Sequence, residues 1–433
     1  MQPLTQGEDR FAAFRHRAFT YYFVTRFFST FGLQIISVAV GWQIYDLTRD
    51  PFDLGLVGLI QFLPALVLIL FTGAAADRYG RRTIMMVSEI VIAASAAALV
   101  YFAWRGLTSP LPIFAVLLVL GIARAFFSPA SQSLAPNLVP ARDLPNAIAW
   151  NSTSWQTSTI VGPVAGGLLY GLGALAPYLT AFCLFILATI AISLVPPPLK
   201  RSHVQAQSWH TLLAGFSYVR NQKVVLGAIS LDMFAVLLGG AVALMPVFAR
   251  DVLELGPAGL GWLRAAPGIG AIAMAIYLAS RPVRQHAGIT MLIAVGLFGT
   301  ATIVFGLSTS PLLSISMLVI MGASDMISVY VRQSLIQLWT PDDLRGRVSA
   351  VNMVFVGASN ELGEFRAGTM AAFFGPVFAV VLGGVGTLAV AVAWSFGFPA
   401  LRQIESLDKD AEESRAKLKQ QLEKPEISGP GNA

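Results

Sequence analysis

LGLVGLIQFLPALVLILFTGAAADRYGRR, residues 54–82, is the stretch on which the fold of this chain turns. From Leu54 to Ala75 it carries no charge, a length sufficient to cross about 30 Å of hydrocarbon as a helix. It then runs into a basic turn, Arg78, Gly80, Arg81 and Arg82, and a second apolar run over 83–104 follows at once. Strands of a membrane barrel alternate apolar and polar residues, whereas this run is apolar all round. The unit is therefore helix, basic turn, helix, in a protein that crosses a membrane repeatedly.

Working outward, the same reading predicts helices near 19–45, 54–75, 83–104, 111–135, 147–171 and 174–196, and again near 223–248, 257–280, 288–308, 311–338, 347–373 and 375–399. The fold class is all-α, with twelve membrane spans in two six-helix halves. Composition agrees: 55% of the 433 residues are hydrophobic and 12% charged, against about 25% charged in a soluble domain, and the mean hydropathy is +0.68. The single cysteine, Cys183, excludes a disulfide framework and a thiolate metal cage and reads as packing. The net charge of +6 does not mark a nucleic-acid partner, because the basic residues sit in short loops between apolar runs. With the N-terminus inside, 21 of the 29 Lys and Arg fall on the inner side and Arg49, Arg105 and Arg250 outside. That bias puts both termini in the cytoplasm of a bacterial inner membrane.

The chain repeats itself. Gly58 and Pro64 return as Gly261 and Pro267, Gln132-Ser-Leu134 as Gln333-Ser-Leu335, and Gly162 and Gly167 as Gly363 and Gly368. Six helices bring the chain back to its starting side, so the halves share one topology and relate by an axis along the membrane normal. The predicted organisation is a cytoplasmic N-terminus (1–18), a six-helix bundle (19–196), a cytoplasmic linker (197–222), a second bundle (223–400) and a charged tail (401–433). In the linker, Trp209, Leu212, Leu213, Phe216 and Val219 recur at helical spacing, as an amphipathic helix lying at the interface would.

No nucleotide site powers the chain. A P-loop needs Gly-Lys, because glycine amides cradle phosphate and lysine neutralises it, and none of the six lysines follows a glycine. Enzymatic turnover and a cofactor are not expected.

Gly73-Ala-Ala-Ala-Asp77-Arg78-Tyr-Gly80-Arg81-Arg82, after the second helix, resembles the signature loop of the major facilitator superfamily. The resemblance implies a latch between the halves, with Asp77 facing the N-terminal end of the helix that starts near Arg347; a plain topogenic loop is the alternative. The second-half counterpart, Ser280-Arg-Pro-Val-Arg284, is degenerate. On the fifth helix Gly162-Pro163-Val-Ala-Gly166-Gly167 resembles the superfamily's antiporter motif, with Ala149 and Ser158 where glycines are expected. That motif accompanies export in exchange for protons, the alternative being generic close packing. Thr340 to Asn352, Ser359-Asn-Glu361-Leu-Gly-Glu364-Phe-Arg-Ala-Gly368, Ser230-Leu-Asp232-Met-Phe and Gly261-Trp-Leu-Arg264-Ala-Ala-Pro267 together are similar to the enterobactin-exporter-like branch, the transmembrane secretion effectors.

Charge inside a membrane costs at least about 2.5–3.5 kcal/mol per residue on insertion scales and so marks function by default. The spans hold Arg26, Glu89, Arg124, Asp232, Arg264, Asp325, Arg332, Glu361, Glu364 and Arg366. Proton coupling falls to carboxylates, since all four histidines lie in loops or at their edges. The candidates, in order, are Asp325, Glu361, Glu364 and Asp232, with Arg124, Arg264, Arg332, Arg26 and Arg366 as charge partners. Arg124 and Asp325 occupy matching places in the fourth and tenth helices, which line the cavity in this superfamily, so they are expected to pair across it. Glu361 and Glu364 share a helical face, and like charges that close discourage simultaneous ionisation. The alternative for each charge is a static lattice sealing the halves. Gln34, Phe126, Phe127, Asn151, Trp155, Gln156, Phe234, Tyr330, Asn352 and Asn360 are the candidate cavity lining. A metal is not expected, the spans holding no His and one Cys.

The expectation is a secondary transporter acting as a monomer, exporting a small amphiphile such as a siderophore or drug-like compound against protons. A lipid or lysolipid transporter on the same fold, and a membrane sensor or scaffold that transports nothing, are the alternatives.

Overall fold

The computed structural model describes residues 10–196, 209–283 and 285–404. The helices are α1 (Arg17–Thr48), α2 (Pro51–Tyr79), α3 (Arg81–Arg105), α4 (Leu111–Leu134), α5 (Leu144–Gly171), α6 (Leu175–Leu194), α7 (Trp209–Asn221), α8 (Lys223–Gly239), α9 (Gly256–Ser280), α10 (Ala287–Leu307), α11 (Pro311–Trp339), α12 (Asp342–Phe374) and α13 (Pro376–Gly397). Among the described residues, ten segments are long and apolar enough to cross a membrane. The helices α5 and α12 are long enough, at 28 and 33 residues, but carry too many polar groups to join that set.

Their polarity has a packing reason, for α5 and α12 are the helices that join the two groups. Within the first group α1 packs on α5 and α6, α2 on α4, and α3 on α4 and α6. In the second, α8 packs on α12 and α13, α9 on α11, and α10 on α11 and α13, so every pairing recurs in the same relative order. The groups meet along two seams related by the same operation, α2 with α12 and α5 with α9.

Small residues bring the seams into backbone contact. A Cβ on Gly55 would lie 3.1 Å from the Phe365 carbonyl oxygen, and one on Gly261 would lie 2.6 Å from that of Pro163. These contacts fall near the Thr48–Pro51 end of the bundle, here the far end; the opposite end, carrying Arg78–Arg82, is the basic end.

Two local features differ from the sequence reading, the break in the seventh predicted span and the place of Arg366. The predicted span 223–248 is not one helix: α8 stops at Gly239, and short turns over Val242–Val247 lead into a π-helical turn, Phe248–Val252. Arg366 donates to the Leu237 carbonyl at 3.0 Å and to that of Leu238, holding the last carbonyls of α8 as a cation at a helix C-terminus does. The linker helix α7 docks on α12: a Cβ on Gly215 would lie 2.7 Å from the Arg347 carbonyl oxygen, Phe216 meets Phe355, and Val219 is buried. The side chains of Trp209, Leu212 and Leu213, and the tail from 405, lie outside the described residues.

Candidate functional site

Between the two groups lies a cavity of about 370 Å3. It extends from Gly41, Leu54 and Leu117 in the far half to Gln132, one turn from the basic end of α4. The first group supplies most of its wall, from α1, α2, α4 and Trp155 of α5, and the second group supplies Ala243, Arg264, Glu361 and Glu364.

Its centre is a pair of carboxylates. Glu361 and Glu364 lie one turn apart on α12, and both turn toward Gly58 of α2. A Cβ on Gly58 would lie 2.8 Å from Oε2 of Glu361 and 3.2 Å from Oε2 of Glu364, so the two carboxylates fill the niche that the glycine leaves open. Two arginines oppose them, Arg124 sensing the charge of Glu361 and Arg264 that of Glu364. Both guanidinium groups hydrogen-bond to neutral side chains, Arg124 to Oε1 of Gln61 at 3.1 Å and Arg264 to the Ser37 hydroxyl. Arg26 also lines the cavity and reaches the Tyr22 hydroxyl at 3.4 Å. Arg124 and Glu361 thus stand in different groups, where relative movement of the groups changes their separation, whereas Arg264 belongs with Glu364 to the second group.

The other intramembrane charges stand elsewhere. Arg332 is ion-paired with Asp232, both nearly buried, and the Ser328 hydroxyl donates to Asp232 Oδ1 at 3.3 Å. Asp325 shares a small crevice with Asp232, Ser324 and Ser328 inside the second group. The expected pair between Arg124 and Asp325 across the cavity does not form here: Arg124 faces Gln61 and Glu361, and Asp325 faces inward, toward α8. The pairing inferred from matching positions fails because no residue of α11 is part of the cavity wall: its face with Ser324, Asp325 and Ser328 turns toward α8 and α10 instead. Arg366 caps α8 and leaves Glu364 alone, as two residues two apart on a helix point in different directions. Glu89 is fully buried in α3 beside Ser29, which itself lines the cavity.

Of the expected cavity lining, Gln34, Phe127 and Trp155 are there. Phe234 instead packs, tilted, against the Trp394 ring at 5.2 Å between centroids, Tyr330 packs on the core of the second group, and Asn360 donates to the Val356 carbonyl at 2.9 Å. Phe126 and Gln156 are half-buried and not part of the cavity wall. Asn151 and Asn352, repeat-related positions on α5 and α12, each bury an Oδ1 with no hydrogen-bond partner, also away from the cavity wall. Gly58, Gln61 and Ser37 were missed as site residues. The repeat had already singled out Gly58, but nothing in one sequence shows what faces it.

The two quoted motifs are stitching points. In the loop, α2 runs helically through Gly73 to Tyr79, and Gly80 turns the chain at a φ of 84° that suits glycine. Arg81 donates to the Ser133 carbonyl at 2.8 Å and Arg82 to that of Ser193 at 2.6 Å, gripping the C-terminal ends of α4 and α6, while Arg78 lies over the Tyr79 ring. The side chain of Asp77 lies outside the described residues. On α5, Gly162 and Gly166 face α1: Cβ atoms there would lie 2.6 Å from Gln34 Cβ and 3.0 Å from the Ile35 carbonyl oxygen. Gly167 faces α9, and the Pro163 carbonyl meets Gly261 of α9.

Known proteins share this plan. Residues 8–430 match the family described as transmembrane secretion effector. The enterobactin exporter EntS of Escherichia coli O1:K1 / APEC is 26% identical over 391 residues, which cover 87% of this chain and 91% of that protein. A bacterial homolog of the human lysosomal transporter Spinster, solved in an inward-facing, unoccupied conformation, superposes with a TM-score of 0.70 at 15% identity, covering 94% of this chain and 98% of that one. A bacterial homologue of the iron transporter ferroportin, in an inward-facing state, gives 0.64 at 15% identity over 88% and 98%. With its paired helical groups, its polar seam helices and this match along nearly its whole length, the chain is a multi-span membrane transporter and belongs to the transmembrane secretion effectors, the enterobactin-exporter-like branch of the major facilitator superfamily.

Proposed function

We propose that the protein exports a small amphiphile in exchange for protons, by alternating access of the cavity between the two helical groups. The observation that carries this reading is the convergence of Glu361 and Glu364 on Gly58 at a seam between the groups, with Arg124 of the first group facing Glu361 and Arg264 of their own group beside Glu364. A carboxylate whose distance from an arginine changes as the groups rock binds a proton in one arrangement and releases it in the other. The basic end is taken as cytoplasmic from the distribution of Lys and Arg, so this arrangement has its cavity reaching toward the cytoplasm. The export direction is supported by the relative EntS, an enterobactin exporter, and a siderophore is the first substrate to try for the same reason. A membrane potential of 100 mV supplies about 2.3 kcal/mol per proton, enough for roughly a fifty-fold gradient.

The test is proton movement in proteoliposomes under an imposed pH gradient, with siderophores and cationic dyes as substrates. Glu361→Gln and Glu364→Gln should each uncouple substrate flux from the gradient while leaving substrate binding in place. Substrate flux that ignores the gradient in the unaltered protein would remove proton coupling, and the carboxylates would then be seals.

A further inference from the structure

Resting on the transport reading above, the cavity wall says something about the charge of what it carries. Arg26, Arg124 and Arg264 come from three helices into one space, and no described carboxylate lies within 4.0 Å of any of them. Each has a neutral partner, the hydroxyl of Tyr22, Oε1 of Gln61 and the hydroxyl of Ser37 respectively. Nε of Arg264 is buried and has no partner at all. The acids in the wall are Glu361 and Glu364, so the cavity keeps a surplus positive charge even with both ionised, and a larger one when either carries a proton.

Guanidinium groups that face a space between apolar helices with no carboxylate in reach are poorly compensated, the buried Nε of Arg264 most of all, and an anion entering the cavity offsets that. A cationic amphiphile would instead meet three like charges. The planar guanidinium fork suits an acid that offers two oxygens: a carboxylate, a sulfonate, a phosphate or a deprotonated catechol. Apolar wall residues for the rest of the molecule are at hand in Leu33, Val57, Leu120 and Phe127. We infer that the transported amphiphile is an acid, its anionic head held by Arg264 and Arg124 and its apolar body lying against the first helical group. Arg26 and Arg124 stand nearer the basic ends of their helices than Arg264 does, so an acid entering from that end meets them first.

The probes are 8-(dansylamino)octanoic acid, its methyl ester and a trimethylammonium of the same chain length, matched in size and differing in charge. Binding is read from dansyl emission with the protein in phosphatidylcholine nanodiscs, less the signal of empty discs, and flux is read in proteoliposomes. The acid should bind about tenfold or more tightly than the ester, and the cation more weakly than either. Arg264→Gln and Arg124→Gln should each lose that preference, while Arg264→Lys keeps part of it. Ester binding, unchanged across these variants, shows that they fold. Arg105→Gln, at the far surface where it lies over Tyr101 and Trp104, should behave as the unaltered protein. Equal binding of acid and ester, or no binding of the acid, overturns the inference and leaves proton-driven export of a neutral or cationic compound standing. Acid binding with no flux of any probe upholds the site and overturns the transport reading instead. Weaker binding of the acid in discs containing phosphatidylglycerol would identify a lipid head group as the acid, and unchanged binding a free small molecule.

Discussion

The carboxylate pair depends on an atom that is absent. Gly58 lies inside α2, where alanine would be favoured by about 0.8–1 kcal/mol on helix propensity alone. Glycine stands there because a Cβ would lie 2.8 and 3.2 Å from the Glu361 and Glu364 oxygens. Gly58→Ala should therefore leave the helix intact, push one or both carboxylates out of the niche, and weaken proton-driven flux about tenfold or more. A misplacement near 1 Å in a working site costs up to about 100-fold. The comparison is Gly357→Ala on α12, whose Cβ would meet only Phe62 at 3.7 Å and which should transport normally. Flux and melting temperature of the two variants, measured side by side, separate the niche from general packing. Normal flux in Gly58→Ala would show that the carboxylates do not need this niche.

Among the smaller elements, the segment before α1 is held by the start of α5 more closely than its sequence suggests. Trp150 Nε1 and Asn146 Nδ2 donate to the Arg10 carbonyl at 2.9 and 3.0 Å, Phe11 and Phe14 pack on the Trp150 ring, and His16 Nε2 hydrogen-bonds Asp143 Oδ2 at 2.8 Å. The hydrogen bond with His16, with Arg142 beside it, holds the Asp143 carboxyl below the usual carboxylate range against some desolvation. A carboxylate depressed in the folded state stabilises it above its unfolded value, near 3.9, and that contribution disappears as pH falls through the lower folded value. Amide exchange over residues 12–16 should accordingly speed up below about pH 4, and Asp143→Asn should remove this acid limb; an unchanged limb in the variant would assign it to other groups. The sequence does not mark Trp150 as an anchor, because its partners lie some 140 residues away. What was legible has a local cause: helix, basic turn, helix over 54–82, and the repeat of Gly58 with Gly261. The break at Gly239 was not legible, since hydropathy continues through it and the reason for stopping there, Arg366 on the α8 carbonyls, comes from α12. For the same reason Glu361 and Glu364 could be named and paired from their spacing, while Gly58 opposite them could not.

Taken whole, the molecule is two copies of one packing scheme joined along two seams, and such a design has two ends that compete for closure. In this arrangement the far end is closed, and side chains lock what the glycines bring together. Arg250 pairs with Asp46 and lies over the Trp42 ring at 5.4 Å, Arg49 reaches Asp251 at 3.5 Å, and the Tyr45 hydroxyl donates to Asp251. One partner set is the end of α1 and the other is the π-helical turn after α8, repeat-related segments from opposite groups. Exposed ion pairs are worth about 0.2–1 kcal/mol each and a cation–π contact about 0.5–1, so the clasp together shifts the balance of states by roughly tenfold. Asp46→Arg places like charges against Arg250 and should populate a form open at the far end. Spin labels at Ser109 and Ser310, in the far-end turns before α4 and α11 with Cys183→Ser as background, would report it as a longer distance component. Adding Arg250→Asp to Asp46→Arg restores the opposite charges in swapped order and should return the short distance. Recovery in the double variant assigns the lock to charge at this clasp; a short distance retained in Asp46→Arg alone would leave closure to the Gly55 and Gly261 seams, with the opposing charges merely following it.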